Sequence, residues 1–93
     1  MSSTRRGEGD RGIERVPLRD VATEVPPEAR REPPTRPPEP LPVTAWVTDG
    51  RGRTFQADGE ALAWTPRAVY VRYVDPVGRE GFAWLWASAV SRR

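Results

Sequence analysis

From position 43 onward the chain alternates. Val43, Ala45 and Val47 interleave with Thr44, Trp46 and Thr48, which predicts a β-strand with its small aliphatic residues inward and Trp46 outward. Asp49-Gly50-Arg51-Gly52 has the composition of a turn, and Arg53 to Ala57 reads as the returning strand. Asp58-Gly59 predicts a further turn or bulge, after which Glu60 to Trp64 either continues the strand or makes a helical turn. Thr65-Pro66-Arg67 breaks that segment. Ala68 to Val74, β-branched and aromatic throughout, is the clearest strand. Arg72 shares a face with Tyr70 and Val74, which marks that face as the outer one, opposite Val69, Val71 and Tyr73. Asp75-Pro76-Val77-Gly78 is a tight connection to a partner strand ending at Trp86. Ala87-Ser88-Ala89 is short enough for one 3₁₀ turn, and Val90-Ser91 for a last short strand.

Before position 43 the pattern is different. Ile13, Val16, Leu18, Val21 and Val25 recur at roughly helical spacing but are interrupted by Pro17 and stopped by Pro26-Pro27. Two readings stand: a disordered segment with scattered apolar residues, or a short motif that folds on a partner. Residues 26–42 are rich in Pro, Arg and Glu and predict an extended spacer; Arg31-x-x-Pro34-x-x-Pro37 also fits a proline-rich ligand pattern, as such a composition readily does. Residues 1–12 contain Gly, Ser, Arg and acids and little to pack, so they too are expected to be disordered. Gly7-Glu8-Gly9-Asp10-Arg11-Gly12 spells a dinucleotide-binding pattern without the strand and helix that pattern requires. The expected organisation is a disordered tail and linker over 1–42 and a small, mainly β domain over 43–93.

Four or five short strands in so few residues, with one 3₁₀ turn before the last, suggest a small antiparallel barrel. The segment Gly78-Arg79-Glu80-Gly81-Phe82-Ala83-Trp84-Leu85-Trp86-Ala87-Ser88-Ala89-Val90 resembles the closing strand, turn and strand of Src-homology-3-like and Tudor-like barrels. Ala63-Trp64-Thr65-Pro66-Arg67-Ala68-Val69 and Trp84 to Val90 are also similar to short proteins of high-GC, actinobacterial-type bacteria, some encoded near mobile elements. The resemblance is limited to residues 43–93 and implies a fold without an assigned activity. In place of the acidic loop of peptide-binding Src-homology-type domains stands the short basic Asp49-Gly50-Arg51-Gly52-Arg53.

Composition narrows the chemistry. All fifteen basic residues are Arg, which we read as GC-rich coding, and the net charge of +2 is too small for a dedicated nucleic-acid binder. The chain has no His, Cys or Lys, so the common general base, the thiolate and Schiff-base nucleophiles and the usual metal ligands are missing. Asp58 and Glu60 flank Gly59 as solvated acids, and Ser88 has no base beside it. These features predict a protein that is not an enzyme, with no catalytic residues, no metal, no cofactor and no small-molecule substrate. No apolar run approaches the roughly 20 residues that span a bilayer. Met1-Ser2-Ser3-Thr4-Arg5-Arg6 opens as a signal peptide does, but no apolar stretch follows, so a cytoplasmic location is expected.

The stretch from Phe82 to Trp86 is apolar on both faces. Either Leu85 faces the core and Trp84 and Trp86 form a surface, or the indoles fill the core and Leu85 lies outside. The first option predicts an outer patch of Trp46, Tyr70, Trp84 and Trp86, edged by Arg53 and Arg72, suited to a protein partner or a homodimer. The bland alternative is that the aromatics plug the ends of a tiny barrel. An alternative function is accessory nucleic-acid binding, with bases stacked on the same aromatics and phosphates held by Arg51, Arg53, Arg67, Arg72, Arg79, Arg92 and Arg93.

Overall fold

The computed structural model describes residues 13–93. Five strands, β1 (Leu41–Thr48), β2 (Thr54–Trp64), β3 (Ala68–Val74), β4 (Glu80–Trp86) and β5 (Val90–Arg92), form one sheet in the order β4-β3-β2-β1-β5. All the pairings are antiparallel. A 3₁₀ turn at Ala87–Ala89 delivers β5 to the free side of β1, where Val90 faces Ala45. The mainly β fold expected from the alternation is thus present. Its first strand starts at Leu41 and includes Pro42, whose missing N–H is tolerated near a strand start.

The alternation also assigns the faces. Val43, Ala45, Val47, Val71, Tyr73, Ala83 and Leu85 are buried and pack with Ala57 and Ala61 in one core. Leu85 therefore faces inward, and Trp84 and Trp86 point away from the core. Alanines dominate this core, so its largest fully buried side chain, Tyr73, fills much of the space. Room for the ring comes from Gly81, its partner across the β3–β4 ladder: a Cβ at Gly81 would press on the Tyr73 ring.

Asp58-Gly59 is not a turn. β2 runs straight through it, with Asp58 opposite Thr44 and Gly59 opposite Val43. The irregularity comes later, where the β2–β3 register shifts between Ala61 and Ala63. Gly59 serves close approach instead, since a Cβ there would collide with the Arg72 carbonyl oxygen of the neighbouring strand.

The reading of residues 13–42 as an unpacked tail and spacer is corrected for their first half. Residues 13–30 form a strap over the free edge of β4. The Glu80 N–H donates to the Glu14 carbonyl (2.7 Å) and the Val16 N–H to the Glu80 carbonyl (2.9 Å). The Val25 N–H donates to the Trp84 carbonyl (2.9 Å), and the Trp84 N–H to Oε2 of Glu24 (2.8 Å). Between these anchors a 3₁₀ turn, Leu18–Asp20, turns the chain toward β1, where the Thr23 N–H donates to the Thr48 carbonyl (2.8 Å). The strap joins β1 to β4, which share no ladder, and supplies Ala22 to the core; Val25 is buried to 1 % exposure. Of the two readings of this segment, disordered or folding on a partner, neither holds: it folds on its own sheet. A short helix, Pro27–Arg30, ends the strap. Residues 31–40 that follow are exposed except for Pro37, as a spacer would be, and are pinned by paired hydrogen bonds between Thr35 and Trp64 (2.7 and 2.9 Å). The dinucleotide-binding pattern at 7–12, the opening Met1–Arg6 and the disorder expected of 1–12 lie outside the described residues.

Candidate functional site

The six residues expected to form one patch divide into three places. Tyr70, Phe82 and Trp84 make a row on the outer face of β3 and β4, with the Tyr70 ring 5.3 Å from that of Trp84 and 6.2 Å from that of Phe82. The strap overlies the Phe82 and Trp84 rings of this row. The guanidinium of Arg15 lies 5.0 Å from the Phe82 ring centre, and that of Arg30 lies 4.8 Å from the Trp84 ring centre. Cation–π contact of this kind holds an arginine against an aromatic face and shields the face from a partner. It also accounts for the buried Nε of Arg30 having no hydrogen-bond partner. Arg72 stands beside the row, tied to Glu80 (2.6 Å) and Glu60 (3.5 Å). Glu60 is thus an ion-pair partner as well as a partly solvated acid.

Trp46 and Trp86 form the second place. They are 54 % and 48 % exposed, the two exposed aromatics of the sheet. Both line a groove of about 300 Å³ together with Thr23, Glu24 and Val25 of the strap, Thr48, Leu85 and Ala89. Its position follows from local rules. Outward alternation on β1 exposes Trp46, and the end of β4 exposes Trp86 just before the 3₁₀ turn lifts the chain away. The strap forms the remaining wall. The carboxylate in that wall, Glu24, is occupied by the Trp84 N–H.

Arg53 belongs to the third place, a cluster of arginines and aspartates around the β1–β2 and β3–β4 turns. The two turns repeat one device, Asp-x-x-Gly-Arg. Asp49 Oδ1 accepts from the N–H groups of Arg51 and Arg53, both at 2.9 Å, and Asp75 Oδ1 accepts from those of Val77 (3.1 Å) and Arg79 (2.8 Å). The fourth residue is a glycine at positive φ in each, 80° at Gly52 and 88° at Gly78. The arginine then folds back on its aspartate, Arg53 Nε to Asp49 at 2.9 Å and Arg79 Nε to Asp75 at 2.7 Å. Asp20 of the strap bridges the pair, taking Arg51 Nε at 2.8 Å and Arg79 Nη1 at 3.1 Å. Burial alone would raise the carboxyls of Asp20, Asp49 and Asp75. The hydrogen bonds and charges of their arginines, with the turn N–H groups at Asp49 and Asp75, outweigh it and hold all three below the ordinary carboxylate range. Burial, with the charge of Asp75 beside it, pushes the Tyr73 phenol up. Both turns were legible, but their convergence on Asp20 was not: the only signal available in sequence is the repeated Asp-x-x-Gly-Arg.

The arginines of the nucleic-acid reading are largely engaged. Arg51, Arg53, Arg72 and Arg79 pair with carboxylates, and Arg93 donates to the carbonyls of Val43 (3.0 Å) and Gly59 (3.3 Å). Among the described residues no group of three or more acidic side chains is arranged to hold a metal ion, and no helix is long and apolar enough to cross a membrane. No protein-family model, no curated protein and no solved structure matches this chain.

Proposed function

We propose that this chain is a non-catalytic protein-interaction module, acting in the cytoplasm, whose contact surface is the Trp46–Trp86 groove. The observation that carries the reading is the pair of half-exposed indoles on one apolar groove, while Phe82 and Trp84 are overlaid by arginines of the strap. Indoles offer large apolar area with little rotamer freedom to lose, and they dominate the energetics of interfaces. The fitting partner is a protein segment that inserts an apolar side chain between the two rings and accepts a hydrogen bond from an indole N–H. The small-barrel resemblance of residues 43–93 is consistent with such a module and adds no partner of its own.

The test uses the full chain with Trp46→Ser and Trp86→Ser. Each side chain is outside the core, so folding stability should stay within about 0.5 kcal/mol, while retention of a protein partner in a pull-down is lost. Retention unchanged in both variants overturns the reading. Quenching of Trp fluorescence by an oligonucleotide, weakening steeply with salt, would favour the nucleic-acid alternative.

A further inference from the structure

We propose that the strap, residues 13–30, exchanges between two copies of this chain, with Arg31 as the hinge. Arg31 has φ 61° and ψ −52°, and it is the only non-glycine residue at positive φ among the described residues. The Glu32 N–H donates to the Arg30 carbonyl across it at 2.7 Å, closing a three-residue turn. That geometry is the classic γ-turn, a strained form for a residue with a side chain. The strain lies at the junction of two anchored parts. Upstream, the strap is fixed to β4, to β1 and, through Asp20, to both hairpin turns. Downstream, Thr35 is fixed to Trp64. Straightening Arg31 alone therefore redirects the strap and leaves the rest of the linker in place. Five prolines between residues 32 and 40 stiffen that linker and oppose any other route back.

An opened chain cannot stay alone without loss. Its β4 edge at Glu80 and Trp84 would be bare, the seats of Ala22 and Val25 empty, and Arg51 and Arg79 without Asp20. A second opened copy supplies the same strap to the same seats, so every contact of the closed form is remade and two strained turns are released. In the exchanged form the groove of Trp46 and Trp86 takes its Thr23–Val25 wall from the other copy.

Arg31→Gly, which tolerates positive φ, should shift the full chain toward monomer; Arg31→Pro, which cannot adopt it, should shift it toward dimer. One strained residue corresponds to roughly tenfold in an equilibrium constant, and two hinges per dimer to roughly a hundredfold in the dimer dissociation constant. Light scattering over a concentration series reads this. A second measurement places the strap. Arg15 and Glu80 are bridge partners and the chain has no cysteine, so Arg15→Cys with Glu80→Cys reports the contact on oxidation. After equilibration at high concentration, a reducible dimer on a denaturing gel supports exchange. Cross-linked monomer together with unshifted Arg31 variants overturns it, as does a dimer that persists when the cross-link is within one chain. Trp46→Ser should leave the exchanged dimer intact, which separates this proposal from binding at the groove.

Discussion

A side chain at position 59 has nowhere to go, because the carbonyl oxygen of Arg72 occupies the place of its Cβ. Backbone cannot step aside as a flexible side chain can. Gly59→Ala should therefore force β2 and β3 apart and destabilise the protein by about 1–3 kcal/mol, read as a lower midpoint in urea unfolding. Asp20 is the other residue on which much depends. It is buried, and its two shortest contacts come from arginines on different hairpins. Asp20→Asn keeps the shape and removes the charge. The resulting loss of stability should appear as faster amide exchange at Val16, Thr23 and Val25.

At the scale of elements, the two hairpin turns and the strap behave as one acid-sensitive unit. The folded-state carboxyls of Asp20, Asp49 and Asp75 lie below their ordinary value of 3.8, so the unfolded chain binds more protons than the folded one in the window between. Their stabilisation is present above that value and is lost as the pH falls from it through the lower folded-state values. Acidification should therefore release the strap, and Asp20→Asn should flatten the pH dependence of strap exchange. If the slope is the same in wild type and Asp20→Asn, this linkage is wrong. The hairpins were readable in sequence because turn chemistry is local: Asp caps its own turn and glycine takes positive φ within five residues. The strap was not readable, since its contacts are distant. Asp20 meets Arg51 and Arg79 across 31 and 59 residues, and its buried side chains are small, so no periodic apolar face announces them.

For the whole molecule, the five strands are one sheet but not the whole folding unit. Domains this small bury about 60 % of their unfolded surface, and here Ala22 and Val25 are part of what is buried. A fragment beginning at Leu41 keeps every ladder yet loses the cover of the β4 edge and the partner of both hairpin arginines. It should unfold at lower temperature than the full chain and should self-associate through the bared edge; calorimetry and light scattering check both. A fragment as stable as the full chain would show the strap to be an ornament. The same cover explains why the expected aromatic patch is smaller than the sequence suggests. Arginines of the strap lie on Phe82 and Trp84, leaving Trp46 and Trp86 as the accessible pair.

The sequence by itself determined most of the strands, the two hairpin turns and the inward faces of β1 and β3, because alternation and turn chemistry act between near neighbours. It determined that Trp46 points outward, and it excluded chemistry that needs His, Cys or Lys. Tertiary structure alone decided that Leu85 takes the core position and the indoles do not: both faces of β4 are apolar, and only packing beside the small alanine core and Tyr73 distinguishes them. It decided also that the polar segment 13–30 belongs to the fold. A few small side chains, four hydrogen bonds to an open strand edge and one shared aspartate hold it there, and none of these has a pattern that can be seen along the chain.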